Sequence, residues 1–186
     1  MTVPATDVLL FFIGSTAMAW CSRKALRHPG SHGFYRFFAW IGILALVSMS
    51  HRAWGMSPWS LHQMASRTLL GGSIALVALG VAPLDRPGRA GGRRGGGALY
   101  DWEKTTVLVT TGIFAHIRHP MYASLLALDW GAFLQAPSLL AGTIALAVSL
   151  LLLLTALADE RECLDYFGPA YAEYMRRTRR FIPGVF

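Results

Sequence analysis

Five stretches of this chain, at about residues 5–22, 36–50, 63–82, 121–136 and 138–158, are apolar almost throughout. A helix needs about 20 such residues to cross the roughly 30 Å of a bilayer's hydrocarbon. Inside that medium the backbone must satisfy its own polar groups, and for runs of this length a helix is the way to do it. The second and fourth runs are short, which predicts tilted or partly interfacial helices. With 54% of the 186 residues hydrophobic and only 15% charged, little chain remains for a soluble domain. The expected fold is therefore all-α: one integral-membrane domain over 1–186 with about five transmembrane helices, embedded in the bilayer.

The net charge is +7, and its placement carries the information. Arg23, Lys24, Arg27 and Arg36 fall between the first two runs, and Arg86, Arg89, Arg93, Arg94, Lys104 and Arg118 between the third and fourth. Arg161, Arg176, Arg177, Arg179 and Arg180 follow the fifth, leaving only Arg52 and Arg67 for the other side. The positive-inside rule then puts the N-terminus outside and the C-terminus in the cytoplasm. It points to an inner, plasma-type membrane of bacterial kind. The same bias accounts for the basic balance without nucleic acid, whose binders carry their basic residues on soluble surfaces. The first run has no basic residues ahead of it and several after it, which suits a retained span rather than a cleaved signal. Cys21 and Cys163 both fall on the cytoplasmic side, where a disulfide is not expected, and they form no spaced metal-ligand set.

The polar break at 83–104 contains Pro83, Pro87 and a Gly/Arg-rich run from Gly88 to Gly97, and reads as a flexible loop. No Lys-Ser/Thr ends the glycine run and no strand precedes it, so it is not a phosphate loop. Its arginines suit anionic lipid headgroups. Tyr100 to Lys104 is aromatic and amphipathic, as expected at headgroup level. Thr110-Thr111-Gly112 reads as a turn, Pro120 opens the fourth span, and Ala136-Pro137-Ser138 closes a tight hairpin with the fifth. Residues 159–180 read as an amphipathic helix pair broken at Phe167-Gly168-Pro169.

That hairpin has a chemical consequence. Its two helices are antiparallel, so Asp159 and Glu160 return beside Arg118, His119 and Tyr122. Ionisable groups at membrane helix ends are costly to bury, and a cation, an imidazole, a phenol and carboxylates at one edge suggest a site. Such a set suits a small zwitterion, with Arg118 and His119 taking its acid group and Glu160 its amine. Asp129 lies seven residues after Tyr122 and shares its helix face. As an intramembrane acid it is a candidate catalytic residue that orients or deprotonates an acceptor, or else a hydrogen-bond partner for another helix.

Arg118-His119-Pro120-Met121-Tyr122, preceded by Val109-Thr110-Thr111-Gly112, resembles the signature of the isoprenylcysteine carboxyl methyltransferase family. Asp159-Glu160, Phe167-Gly168 with Tyr171 and Tyr174, and Arg180-Phe181-Ile182-Pro183 resemble that family's C-terminal pattern. The likeness covers about residues 98–186, whereas 1–97 are similar only in hydropathy. It implies a multi-spanning methyltransferase using S-adenosylmethionine without a Rossmann domain. It further implies that the cofactor reaches the site from the cytoplasm and a lipophilic acceptor from the lipid: a prenylcysteine-like carboxylate, a thiol or a lipid amine. The resemblance assigns His119 and Tyr122 to the methionine end of the cofactor, with Arg118 close by. Glu160 matches the second acid of the family's pair and has a catalytic or cofactor-binding role. Asp159 stands where glutamate is usual, and Phe114 where tyrosine is common. Tyr171 is a candidate cofactor contact or a packing residue. No metal is implied.

Each of these residues also has a plainer reading. Arg118 serves as a topology anchor, His119 as a local cap, Tyr122 as part of an aromatic belt, and Glu160 as a partner of Arg161 or Arg176. Arg27-His28-Pro29 mimics the signature, but Gly30-Ser31-His32-Gly33 follows in place of a tyrosine-bearing helix, which suggests a loop. Two rival functions remain. Asp159-Glu160 and Arg180-Phe181-Ile182-Pro183 are also similar to the C-terminus of NADPH-dependent sterol reductases, which are much longer. A non-catalytic membrane protein of the same fold is the other.

Overall fold

A computed structural model describes residues 5–84 and 106–185. The Gly/Arg-rich run and the aromatic segment at 100–104 lie outside these residues. The described chain is helical: α1 Ala5–Cys21, α2 His32–Ser50, α3 Leu61–Val81, α4 Pro120–Gln135, α5 Leu139–Phe167 and α6 Pro169–Arg177. Short 3-10 turns at Ala25–Arg27, His51–Ala53 and Gly112–Ala115 connect them. Among the described residues extended pairing is confined to one parallel bridge between Ile117 and Arg179.

Each of the five apolar runs is a helix. By length and composition three can cross a membrane: α2 with its following turn (His32–Ala53), α3 and α5. α1 has 17 residues and α4 has 16. At 1.5 Å per residue that is about 24–26 Å, just short of the hydrocarbon thickness. α2 begins at His32 because Ser31 caps it, its hydroxyl accepting from the backbone N–H of Phe34. The helix carrying the fifth run continues through Asp159 and Glu160 to Phe167 instead of stopping where the charges begin. It ends at Gly168, whose φ of +58° lies in the left-handed region that glycine enters without strain. Pro169 then opens α6.

α2, α4 and α5 form the centre, with α3 packed on α4 and α1 on α2. Ala39 and Ile43 of α2 meet Val148 and Leu152 of α5, and Leu46 meets Ala132, Ala141 and Ala145. Small residues set the spacing. A Cβ at Gly131 would sit 2.8 Å from a Leu70 methyl, so α3 and α4 approach this closely only because glycine is there. A polar seam locks the same pair: Ser66 donates to the Gly131 carbonyl at 2.6 Å, and the Gln135 amide donates to Ser66 at 2.7 Å. Gln63 donates to the Gln135 carbonyl at 3.0 Å. Leu9, Leu10 and Phe12 of α1, Ile74 and Leu79 of α3, and Leu146 and Leu150 of α5 point outward, as a lipid-facing surface requires.

Candidate active site

Pro120 organises the start of α4. It has no N–H to give, and its ring disfavours helical geometry in the preceding residue. His119 accordingly sits outside the helix at φ −125°, ψ 61°. The stretch 116–119 then pairs with the chain beyond α6. Arg118 N–H donates to the Arg179 carbonyl at 2.7 Å, His119 N–H to the Arg180 carbonyl at 3.1 Å, and Arg179 N–H to the His116 carbonyl at 3.1 Å. This C-terminal strap is anchored by buried Ile117, Thr178 and Phe181. It fixes Arg118 and His119 from one side while α5 approaches from the other.

The two polar patches expected to meet do meet. Glu160 is 4% exposed and collects three cationic or imidazole partners. Its Oε1 accepts from Arg118 Nε at 2.9 Å and Arg180 Nε at 3.0 Å, with His119 Nε2 at 3.3 Å. Its Oε2 accepts from Arg180 Nη2 at 2.9 Å. Arg118 Nη1 donates to the backbone carbonyls of Met175 at 3.1 Å and Thr178 at 2.5 Å. A carboxylate this buried is tolerable only with such complete pairing. Among the described residues no partner falls to Arg118 Nη2, and the arginine borders the cavity described next.

That cavity, of about 170 Å³, is lined by Arg118, His119, Tyr122 and Asp159, with Tyr171 and Tyr174 of α6. Asp159 faces it where Glu160 does not. Its Oδ2 accepts from the Tyr122 hydroxyl at 3.1 Å and lies 3.5 Å from His119 Nδ1. The His119 and Tyr122 rings stack at 5.3 Å and 22°. Burial pushes the phenols of Tyr171 and Tyr174 well above the usual tyrosine range, so both stay neutral. Tyr174 donates to the Phe114 carbonyl at 2.7 Å. Leu84, Val107, Val109 and Met121 supply apolar wall.

Asp129 lies elsewhere. It shares the α5-facing side of α4 with Tyr122, as its spacing predicts, but it is ten residues past His119, about 15 Å along the axis. It is fully buried, its Oδ2 accepts from Ser149 at 3.4 Å, and it does not line the cavity. Glu160 likewise sits behind the cavity wall.

Two contributions escaped sequence reasoning. Arg180 appeared only as part of a C-terminal pattern, yet it is the second cation on Glu160. His32, at the start of α2, also lines the cavity. Its backbone N–H donates to Glu162 at 3.0 Å and its Nδ1 lies 2.8 Å from the same carboxylate. Arg180 had a signal, since one buried carboxylate invites more than one cation. His32, separated from Glu162 by 130 positions, had none.

Fold and site together describe a membrane-type protein, helical throughout its described residues, with a largely apolar cavity that carries ionisable side chains at one end of a helix hairpin. Residues 96–169 match the family model of the phospholipid methyltransferases, integral-membrane enzymes of the isoprenylcysteine carboxyl methyltransferase type. The match begins ahead of the Arg118-His119-Pro120 signature and ends just past Gly168, so it contains both halves of the polar cluster except the strap. No curated protein and no solved structure gives a significant match to the chain.

Proposed function

We propose that this protein is an integral-membrane methyltransferase that moves a methyl group from S-adenosylmethionine to a lipophilic acceptor. The observation that carries this reading is the meeting of Arg118, His119, Tyr122 and Asp159 in one cavity, inside the segment that matches a methyltransferase family. α1 and α4 cross the membrane beside the three longer helices, and the cavity lies at the cytoplasmic face, because nearly all lysines and arginines lie on that side of the predicted spans.

The donor set fits the cofactor. S-adenosylmethionine is a zwitterion with an added sulfonium charge and an aromatic base. Asp159 holds its ammonium, Arg118 holds its carboxylate, His119 keeps Asp159 in position from between the two acids, and the faces of Tyr122, Tyr171 and Phe114 suit a cation. When bound, it supplies a methyl group on a positively charged sulfur, ready for in-line displacement. The residues have no acid–base step to perform on the donor. Their work is to hold it, to align it with the acceptor and to keep water out with Leu84, Val107 and Met121. Alignment of two bound reactants supplies about 7–11 kcal/mol in favourable cases. Glu160 acts one layer back by holding Arg118 and His119 in place. Asp129 contributes to α4–α5 packing through Ser149. Among a prenylcysteine-like carboxylate, a thiol and a lipid amine, the description of the matched family supports the lipid amine.

Membranes containing the protein, incubated with S-adenosylmethionine labelled in its methyl group, test this directly. Label is expected in the lipid-extractable fraction. Protein that binds the cofactor yet labels no extractable acceptor would overturn the proposal.

A further inference from the structure

The structure places one polar residue of the N-terminal half on the wall of the cavity. Asp159, which takes the charged end of the donor in the reading above, lies at one level of α5. Glu162 and Cys163 come about one helical turn later and Phe167 about one turn beyond that, roughly 12 Å from Asp159 along the axis. Cys163 and Phe167 line the cavity, so it runs along α5 from a charged end toward an aromatic one. At that far end the Phe167 and Tyr171 rings lie nearly parallel, with centroids 6.4 Å apart and 21° between planes. His32 joins the wall between the two ends. It is 1% exposed, and Glu162 holds it at two points, backbone N–H and Nδ1. The carboxylate also caps the first turn of α2, where the helix dipole favours negative charge.

An oriented imidazole on the wall of a cavity that also carries stacked aromatic rings suits a flat, nitrogen-rich ring, which needs a face to stack on and a hydrogen-bonding group at its edge. A purely lipophilic acceptor needs neither. The geometry points to His32 as a cofactor contact that hydrogen-bonds the adenine base, with Phe167 and Tyr171 as its stacking surface and Glu162 as the positioning residue behind it. The N-terminal half of the chain thereby forms part of the donor site. This inference rests on the methyl-donor reading.

The test uses the full-length protein in detergent, titrated calorimetrically with S-adenosylhomocysteine and then, by competition, with adenosine and methionine separately. His32→Ala is expected to weaken S-adenosylhomocysteine and adenosine by about tenfold, the scale of one lost hydrogen bond, and to leave methionine unchanged. His32→Phe keeps a flat ring in the same place and is expected to show the same selective loss, which covers the case of an alanine variant that fails to fold. Glu162→Gln is expected to weaken adenosine by a smaller factor, again sparing methionine. Unchanged affinity for S-adenosylhomocysteine in both His32 variants overturns the inference while leaving the donor reading intact. Equal losses for adenosine and methionine overturn it too, because they mark a structural role. Wild-type protein that binds no S-adenosylhomocysteine overturns the donor reading, and this inference falls with it.

Discussion

His119 and Glu160, separated by 41 positions in the chain, lie 3.3 Å apart, while the other nitrogen of the same imidazole lies 3.5 Å from Asp159. The adjacent carboxylates thus have different work. Glu160 is turned toward two arginines and Asp159 toward the cavity. The helix continuing through both is what separates them, since neighbouring residues on a helix point about 100° apart.

Glu160→Ala leaves Arg118 and Arg180 without their shared carboxylate in a buried setting. A loss of stability of about 3–5 kcal/mol is expected, as for other buried pairs stripped of one partner. Thermal or denaturant unfolding in detergent measures it, and a loss below about 1 kcal/mol, the scale of an exposed pair, would contradict the pairing described.

Asp159→Asn removes the charge facing the cavity at nearly constant volume. S-adenosylhomocysteine binding is expected to weaken by roughly 10–100-fold, the range of a lost charge-assisted hydrogen bond, with little change in unfolding. Tyr122→Phe, which loses the 3.1 Å bond to Asp159, should cost about tenfold or less. Calorimetric titration of both variants checks the order.

Arg180→Lys keeps the charge but not the fork by which Nε and Nη2 reach both oxygens of Glu160. Arginine and lysine are not equivalent at a bidentate site. The expected result is several-fold weaker S-adenosylhomocysteine binding, although Arg180 lines no part of the cavity. Unchanged affinity would show that the strap does not position the site.

Gly131→Ala sets a methyl group against Leu70 in the α3–α4 contact. Overpacking of this kind costs about 1–3 kcal/mol. Unfolding measurements should show that loss with S-adenosylhomocysteine affinity nearly unchanged, because the contact is remote from the cavity.

Much of this arrangement was legible in the residues. Hydrophobic runs located the five long helices, and the short turn at Ala136-Pro137-Ser138 was enough to deduce that Asp159 and Glu160 return to Arg118 and His119. The break at Phe167-Gly168-Pro169 was legible as well, and it is where α5 ends. That α5 is one helix from Leu139 onward was not, because the apolar run stops at 158; the partners of Asp159 and Glu160 come from α4 and the strap, so the helix passes through both intact. Which of two adjacent acids faces the cavity depends on helix phase, which sequence spacing left open. Asp129 shows the opposite limit: spacing placed it correctly on the face of Tyr122, but distance along the axis takes it out of the cavity. His32 depended wholly on tertiary structure, because only the folded α2 and α5 bring it to Glu162.

The most direct measurement is a calorimetric titration of S-adenosylhomocysteine into the detergent-solubilised wild type and into His119→Ala. The wild type is expected to bind one equivalent and the variant to bind at least about tenfold more weakly while remaining folded. Equal affinity in the two proteins, or no binding by the wild type, would contradict the claim that the joined patches form a methyl-donor site.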